Sequence, residues 1–538
     1  MLKTDVLVIG CGLAGLSAAI NAVMNNTSVI LACKSPPGFG TCTMYSAGVL
    51  RCACGKYSLE RHFIETILRG WYLNDQELVR IMVCNAPNKI AMLKKFGVDI
   101  VYGDGRAYVK YGPVTPGRGI TKPLVDYANK LGVKILDRVL ALDLLTVEDT
   151  VSGCIFYDLK KDEVFCILTK SVILATGGYS NLYIRTDNPT GITGDGCAIA
   201  FRAGAELSDL EFVQFFPLGL AEENKPIWLF PIVSGKLVNR LGEDIIEKYD
   251  LQSLGDSVTK YRDLLSRAMW KEIAEGRGVD DALLLKFSQQ AMSEYMELDK
   301  LGFSLAKFLN LDKKDVIKVA PLAHFTMGGI KIKTNCSTNI KGLYACGEVA
   351  SGVHGANRLG GNALTEAVVF GSIAGSSAAF YAKSVNFNQE YDDSEINKWK
   401  SRIRELKNGK INVTELRDEI RRLMWNNCGI IRSKDKLRNL ISQITELDTK
   451  IHELKASNSH EVMKAVETIN MQLLARLVSL SALEREESRG AHYREDYPYC
   501  DNKNWLKRTV VKLINATPKI TYEKVYLKYL SLESDNSA

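Results

Sequence analysis

The sequence contains no uninterrupted apolar run of about 18 residues, the length that crosses a membrane as a helix. Its first five residues lead directly into a predicted strand, so we expect neither a signal peptide nor a membrane span. The sequence also has little excess of one charge. Its 69 basic and 62 acidic residues leave a net charge of +7 over 538 residues. This balance gives no indication of a nucleic-acid partner, although it suits a small anionic substrate.

The thirteen cysteines form no C-x-x-C pair, and Cys52 and Cys54 stand too close together for the usual zinc knuckle. Their number is odd, and they are scattered through glycine turns and apolar segments. We therefore predict free thiols in a reducing cytoplasm, and no metal site.

The N-terminal segment has the pattern of a dinucleotide-binding unit. A predicted strand at 5–9 is followed by an apolar helix at 13–24 and a second strand at 28–32. Gly10, Gly12 and Gly15 form G-x-G-x-x-G at the first junction, which predicts that a dinucleotide pyrophosphate lies on the helix N-terminus. The alternative is a tight strand–helix turn that binds nothing.

The acidic residue that usually ends the second strand of such a unit is missing. Ala32 and Cys33 occupy this region, and Lys34 and Ser35 follow. A carboxylate at this place holds the ribose of NAD, so its absence argues against NAD and is compatible with a flavoprotein that holds the ribose in another way.

Later glycine-rich segments extend the same pattern. A small-residue loop at 41–48 follows the second strand, and a buried strand runs into a turn at Thr176 and Gly177. Asp195 stands between two glycines at the start of a small-residue helix, where it either caps the helix or contacts a ribose hydroxyl. A histidine, an arginine and another glycine-rich loop then occur together within 324–364.

The composition changes along the chain and suggests the domain boundaries. Charged and irregular pieces replace the glycine-rich strands over 216–320, so we predict a domain inserted into a first domain made of 1–215 and 321–385. Residues 386–515 are predicted to be helical, and 516–538 to be a tail. Apolar residues with a period of about 3.5 between Leu440 and Leu454 predict a core-packing helix, with an intermolecular coiled coil as the alternative.

These segments together resemble the flavoprotein subunits of succinate dehydrogenase and fumarate reductase, together with L-aspartate oxidase. The resemblance covers residues 5 to about 507. It implies an α/β plus all-α fold: a Rossmann-like FAD-binding domain, an inserted α+β capping domain and a C-terminal helical domain. The matching segments are 10–15, 175–178, 193–196, 211–214, 324–330, 342–364, 424–432 and 485–498.

The resemblance also implies the chemistry. A hydride moves between flavin N5 and a CH–CH or C=C bond beside a carboxylate. Arg262 matches the proton-shuttling arginine of the capping domain, although its ordinary pKa, above about 12, makes it a surprising acid. His324 and Arg358 match the carboxylate-binding residues. The alternatives are an ion pair of Arg262 with an acid such as Asp263, a structural role for His324 and a surface ion pair for Arg358.

The same resemblance assigns the cofactor contacts. Glu348 is expected at a ribityl or ribose hydroxyl, and Asn362 and Leu364 at the isoalloxazine, near backbone donors; the alternative is ordinary turn and cap chemistry. The predicted cofactor-binding residues are Gly10, Gly12, Gly15, Lys34, Thr41, Gly48, Thr176, Gly177, Asp195, Glu348, Asn362 and Leu364.

The sequence departs from the dicarboxylate enzymes in the predicted substrate pocket, which consists of Phe216, Trp228, His324 and Arg358. Phe216 stands where those enzymes have a histidine, and Trp228 lies in an apolar stretch. A buried carboxylate without donors costs several kcal/mol. The substrate therefore either has one carboxylate and an apolar remainder, or finds a donor elsewhere, for which Lys236 and Arg240 are candidates.

The respiratory members of the family attach their flavin covalently to a histidine in the loop after the second strand. Thr41 takes that place by counting back from Gly48, and none of the six histidines lies in this loop. We therefore predict noncovalent FAD.

The leading hypothesis is an FAD-dependent oxidoreductase that exchanges electrons with an iron–sulfur subunit. We expect it in the cytoplasm, either free or held peripherally at a membrane by a partner. The alternatives are an L-aspartate oxidase, a reductase of an unsaturated monocarboxylate, and a non-catalytic electron-carrying flavoprotein. The presence of Arg262, His324 and Arg358 together argues against the last.

Overall fold

The computed structural model describes residues 2–110, 116–221, 235–286, 316–387 and 393–532. Trp228, predicted to line the substrate pocket, lies outside the described residues. The strands are β1 Leu2–Ile9, β2 Val29–Cys33, β3 Val49–Arg51, β4 Ile100–Tyr102, β5 Arg106–Val109, β6 Lys134–Asp137, β7 Val139–Val147, β8 Thr150–Asp158, β9 Glu163–Leu174, β10 Leu207–Ser208, β11 Val213–Leu220, β12 Lys236–Val238, β13 Leu283–Lys286, β14 Val316–Thr326, β15 Gly329–Ile330, β16 Leu343–Ala345, β17 Ile411–Asn412, β18 Leu454–Lys455, β19 Lys507–Ile514 and β20 Thr517–Lys524.

The helices alternate with these strands at first and dominate after residue 393. They are α1 Leu13–Met24, α2 Cys42–Tyr45, α3 Leu59–Arg69, α4 Gln76–Lys95, α5 Arg118–Lys130, α6 Asp195–Arg202, α7 Ile245–Lys248, α8 Leu254–Lys260, α9 Arg262–Ala274, α10 Asn362–Ser384, α11 Asp393–Lys407, α12 Val413–Cys428, α13 Lys434–His452, α14 Ser459–Glu484 and α15 Asn502–Trp505, with a 3₁₀ helix at Ser180–Leu182.

The central sheet has the strand order β6-β2-β1-β9-β8-β7, and β16 pairs with the C-terminal part of β9. Strands β6, β2, β1, β9 and β16 run parallel, whereas β7 and β8 add antiparallel pairs. The apolar run of β1 is buried because it lies between β2 and β9 under helices. This is the predicted Rossmann-like core.

Helix α10 is long and apolar enough to cross a membrane by composition alone, but 72% of its apolar window is buried. It packs against α1, and the contact is close because small residues face each other. A side chain on Gly371 or Gly375 would overlap the carbonyl oxygen of Ala14 or Ala18. The helix is therefore part of the core under the central sheet.

Buried apolar residues within 216–220, 237–285 and 317–322 form a separate hydrophobic cluster. Its sheet has the order β11-β14-β13-β12, and α8 and α9 pack on it. The chain leaves the first region through β11 and returns through β14, and these two strands pair with each other. Paired entry and exit strands place this region directly over the site described below.

The helical region follows, and its predicted apolar face is present. Leu440, Ile444, Leu447 and Ile451 of α13 are buried, and α13 packs on α12 and α14. The prediction of a core-packing helix is confirmed.

The predicted tail is corrected in part, because residues 517–524 form β20. This strand pairs with β19 along its whole length. Asn515 and Ala516 both have positive φ, which gives the two-residue hairpin turn that suits strand twist. Alternation in Thr-Pro-Lys-Ile-Thr-Tyr was the signal for this strand.

Candidate functional site

The predicted pyrophosphate turn leaves the N-terminus of α1 open. Gly10 has φ 112°, and a Cβ on it would overlap the Ala175 carbonyl. Gly12 precedes the helix without any side-chain cap, and the backbone N–H of Leu13 donates to the Thr43 hydroxyl at 3.0 Å. Thr43 therefore occupies the Leu13 amide, and the other N–H groups of the first helical turn, which have no intrahelical acceptor, are the ones suited to bind phosphate.

The N-terminus of α10 is a second open helix end. Gly361 precedes it with φ 88° and no side-chain cap. The Asn362 side chain lies 2.9 Å from His62 Nε2 and donates to the Thr66 hydroxyl at 3.0 Å, so it joins α10 to α3. The prediction that Asn362 lies at the flavin therefore concerns its backbone and not its amide. Leu364 is buried in the first turn of α10.

The side chains of Glu348 and Thr176 have few hydrogen-bond partners within the protein. Burial raises the pKa of Glu348 to about 7, against the hydrogen bond from the Thr326 backbone at 3.1 Å. The buried hydroxyl of Thr176 has no hydrogen-bond partner among the described residues. Next to it, Gly177 has φ 80°. A ribityl or ribose hydroxyl would satisfy Thr176 and give Glu348 a further partner. The turns at residues 10–15, 176–178 and 361–364, which we call the cofactor cradle, therefore fit a dinucleotide flavin.

Lys34 and Asp195 contact each other. Lys34 Nζ lies 2.6 Å from the Asp195 carboxylate and 2.7 Å from Glu467, which belongs to α14. Although burial opposes it, Lys34 keeps the pKa of Asp195 below its ordinary value. Asn470 also donates to Asp195, at 2.9 Å. The Lys34–Asp195 pair therefore joins the helical region to the first region. Asp195 does not cap α6 with its side chain.

Thr41 and Gly48 shape the loop before β3. The Thr41 hydroxyl caps α2 by accepting from the Met44 backbone at 3.2 Å, and Gly48 has φ 65°. The neighbouring Cys42 Sγ lies 3.2 Å from Asn188 Oδ1. The structure thus gives Thr41 a local structural contact.

Arg262 is the first residue of α9 and faces the first region across the interface. Its Nη1 donates to Gln214 Oε1 at 3.2 Å, and its Nε donates to the Val258 carbonyl at 2.8 Å. It forms no ion pair with Asp263, which accepts from Asn357 at 3.2 Å instead. Burial, and then the charge of Arg358, lower the pKa of Arg262 to about 9. The lower value favours a role in proton transfer.

Arg358 is buried, so the surface ion pair considered from sequence is absent. Its Nη2 donates to the same Gln214 Oε1 at 3.0 Å, and its guanidinium lies 4.4 Å from the Phe325 ring centre. Its Nε has no partner among the described residues. Burial lowers its pKa to about 10. A buried guanidinium with a free N–H is suited to a carboxylate.

His324 stands on β14 with its Nδ1 2.9 Å from Asp187 Oδ2. Burial lowers the pKa of the imidazole, and the charges of Arg358 and Arg262 lower it further. Asp187 opposes this shift but does not reverse it. Asp187 fixes the ring, as an orienting carboxylate does for other functional histidines.

Phe216 lies between the predicted catalytic side chains. Its ring centre is 5.6 Å from that of His324, and the Arg262 guanidinium lies 5.2 Å from it. The ring is 7% exposed. The structure therefore brings Phe216, Arg262, His324 and Arg358 together at one place, which we call the substrate site, with Gln214 as its fifth member.

Sequence reasoning missed three contributors to this site. Gln214 accepts from both arginines, and Asp187 holds His324. Arg51 donates from Nε to the Gly360 carbonyl at 2.7 Å, beside Arg262. Only Gln214 lay within a recognised segment, and its bridging role depends on two strands meeting. Lys236 and Arg240, the candidate donors from sequence, form none of the contacts described for the substrate site.

Comparison with known proteins gives the family. Residues 5–364 match the family described as FAD binding domain, and residues 417–536 match the fumarate reductase flavoprotein C-terminal family. An uncharacterised FAD-dependent oxidoreductase of Methanocaldococcus jannaschii is 38% identical over 95% of this chain and 96% of its own length. A component of the fumarate reductase (CoM/CoB) of Methanothermobacter marburgensis is 35% identical over 92% of this chain and 95% of its own length.

A solved structure agrees with this match. A variant of the FrdA protein of Escherichia coli quinol fumarate reductase has a TM-score of 0.88 at 29% identity and covers 99% of both chains. The predicted fold class is confirmed, and FAD is the cofactor. Among the described residues, no group of three His, Cys, Asp or Glu side chains is placed to hold a metal ion.

Proposed function

Because the chain belongs to the family of fumarate reductase and succinate dehydrogenase flavoproteins, which are FAD-dependent oxidoreductases of CH–CH bonds, we propose the following substrate. It is an unsaturated acid with one carboxylate beside the reacting bond and an apolar group at the other end. The position of Phe216 carries this proposal, because an aromatic ring between His324 and Arg262 offers no hydrogen-bond donor to a second carboxylate.

We assign the bound carboxylate to Arg358 and His324. Arg358 has a free N–H in a buried place, and His324 is fixed by Asp187. The Arg358 guanidinium is in place before the substrate arrives, and His324 takes up a proton as the carboxylate binds. Both charges then stabilise negative charge that develops on the carboxylate during hydride transfer. Bound FAD supplies the hydride exchange at N5.

We assign proton transfer to Arg262. Its guanidinium has Gln214 and a backbone carbonyl as hydrogen-bond partners, so no carboxylate in the described residues neutralises it. Gln214 Oε1 accepts from Arg262 and Arg358 together. This shared acceptor fixes the distance between the proton donor and the carboxylate clamp.

Fumarate is a second candidate substrate. Arg51 and Arg106 are paired across β3 and β5, and both charges reach Arg262 and lower its pKa. This additional positive charge near Arg262 favours a second anionic group on the substrate. The names of several relatives also favour fumarate.

The proposal is tested by measuring how fast a set of candidate substrates changes the redox state of the flavin. Photoreduced holoprotein is mixed with fumarate, with crotonate and with cinnamate, and the oxidised holoprotein is mixed with L-aspartate. Faster reoxidation by the monocarboxylates supports the proposal, and faster reoxidation by fumarate overturns it in favour of the second candidate. Flavin reduction by L-aspartate identifies an oxidase instead.

We further propose noncovalent FAD, an iron–sulfur partner and a cytoplasmic location, in which the partner would provide any attachment to a membrane. All thirteen cysteines are free thiols, which fits a reducing compartment. Acid precipitation tests the flavin linkage, because noncovalent FAD stays in the supernatant. Affinity purification from the native host tests the partner by its iron content.

A further inference from the structure

Two cysteines lie close to Arg51 in the chain, and the proposed reaction uses neither. Cys52 follows Arg51 at the end of β3, and Cys54 comes two residues later. Their Sγ atoms are 3.7 Å apart. Cys52 is fully buried and Cys54 is half-buried, so one sulfur of the pair is open to a small reagent and the other is shielded.

We propose that Cys52 and Cys54 form a redox-active dithiol that closes to a disulfide when small-molecule disulfides exceed thiols. An S–S bond is about 2.05 Å long, so closure needs the sulfurs to approach by less than about 2 Å. The chain bends at Ala53, and the Cys54 Sγ lies 3.6 Å from the Cys52 carbonyl oxygen, so the bend brings the two side chains together.

The main chain around the pair is hydrogen-bonded to a neighbouring segment and contains glycines that let the two sulfurs approach. The Cys52 N–H donates to the Gly105 carbonyl at 3.2 Å, and the Gly105 N–H donates to the Cys54 carbonyl at 3.1 Å. Gly55, which follows Cys54, and Gly105, which bonds to the main chain of both cysteines, have positive φ. Glycine at these two places lets the main chain adjust without strain from a side chain.

The different environments set the order of the exchange. Cys54 is the accessible sulfur, whereas burial, and then the neighbouring Cys54, raise the pKa of Cys52 to about 12. Cys54 therefore attacks the added disulfide first. The S–S bond of the reagent breaks, one thiol leaves with the proton of Cys54, and a mixed disulfide remains.

Cys52 then resolves the mixed disulfide. Its sulfur attacks the Cys54 sulfur, the second reagent thiol leaves with the proton of Cys52, and the internal disulfide forms. Two protein thiols are oxidised, and one reagent disulfide is reduced to two thiols. Excess thiol reverses both steps.

The state of this pair reaches the substrate site through Arg51. The Arg51 N–H donates to the Gly361 carbonyl at 3.1 Å, its Nε donates to the Gly360 carbonyl, and the Thr365 hydroxyl donates to the Arg51 carbonyl at 2.8 Å. Formation of the disulfide shifts the main chain at Cys52 and therefore strains these three hydrogen bonds of Arg51. Since Arg358 lies two residues before Gly360, we infer weaker carboxylate binding in the oxidised form, a consequence that rests on the proposed function.

The first test measures the disulfide itself. Holoprotein is equilibrated in oxidised and in reduced glutathione, alkylated and digested with trypsin, which releases both cysteines in the one peptide 52–56. In oxidised buffer we expect this peptide to lose two hydrogen atoms and to resist alkylation. The exposed Cys84 serves as the control and should carry glutathione. Two alkyl groups on peptide 52–56, or glutathione retained on Cys54, would overturn the proposal.

The second test measures the consequence. Binding of crotonate and of fumarate is followed by flavin absorbance in both buffers, with Cys54→Ser and Cys54→Ala as variants that cannot close and Cys84→Ser as the matched control. We expect severalfold weaker binding in oxidised wild-type protein and in oxidised Cys84→Ser, and no change in either Cys54 variant. Equal affinity in both buffers would overturn the link through Arg51. If neither acid binds to the reduced protein, the proposed function is overturned, while the disulfide result stands.

Discussion

The cofactor cradle, formed by residues 10–15, 176–178 and 361–364, presents mostly main-chain groups. The substrate site beside it presents side chains from distant segments: Gln214 and Phe216 from β11, Arg262 from α9, His324 from β14 and Arg358 from the loop before α10. The first is built by local turns that need glycine. The second exists only when the inserted region lies against the first. Changes to the cradle should therefore remove the cofactor, and changes to the site should spare it.

The largest effect is expected from Gly10→Ala. A Cβ at this position overlaps the Ala175 carbonyl, and the residue has positive φ. We expect holoprotein to be lost, as measured by the ratio of flavin to protein absorbance. Gly204→Ala is the control, because Gly204 also has positive φ but has no atom within 4 Å of the added Cβ. A normal flavin content in Gly10→Ala would contradict the role of close packing here.

Arg262→Ala should leave FAD bound and slow turnover. Loss of a positioned proton donor typically costs about 10²–10⁴-fold in rate. The measurement is kcat by flavin reoxidation, with FAD content as the check on folding. Arg267→Ala, one turn further along α9 beside Asp263, is the control and should keep most activity. Unchanged turnover in Arg262→Ala would remove the proton-transfer assignment.

Phe216→His should change the substrate preference rather than the cofactor. A hydrogen bond to a charged group contributes about 1.5–3 kcal/mol, so the ratio of kcat/KM for fumarate over crotonate should rise by about tenfold to a hundredfold. Phe216→Leu keeps an apolar side chain and should leave the ratio low. If the histidine variant behaves like the leucine variant, Phe216 does not set specificity.

The smallest effect is the pH dependence of carboxylate binding. In free protein the pKa of His324 lies below its ordinary value because of burial. A bound carboxylate favours the imidazolium, so binding takes up a proton. Affinity should fall as pH rises through the range between the pKa of the free protein and that of the complex, by at most about tenfold per pH unit. Flavin absorbance titrations measure this slope, and His324→Gln should abolish it. A slope of opposite sign would contradict the assignment.

The cradle was largely predictable because its signals are local. Gly10, Gly12 and Gly15 between two apolar strands indicate one turn, and Gly361 before α10 indicates another. The roles of Asn362 and Lys34 were less predictable. The Asn362 amide is taken by His62 and Thr66, and Lys34 by a carboxylate from α14, and no local pattern reports contacts made across hundreds of residues.

The sequence by itself determined the reaction class, because FAD motifs, two arginines and a histidine occur in a recognisable order. Only the tertiary structure decided what surrounds those three side chains. Arg262 and Arg358 share Gln214 because β11 passes between α9 and the loop before α10, and Phe216 faces His324 because β11 pairs with β14. Burial then lowers the pKa values of both arginines, an effect that depends on the low dielectric of the closed interface and leaves no trace in residue order.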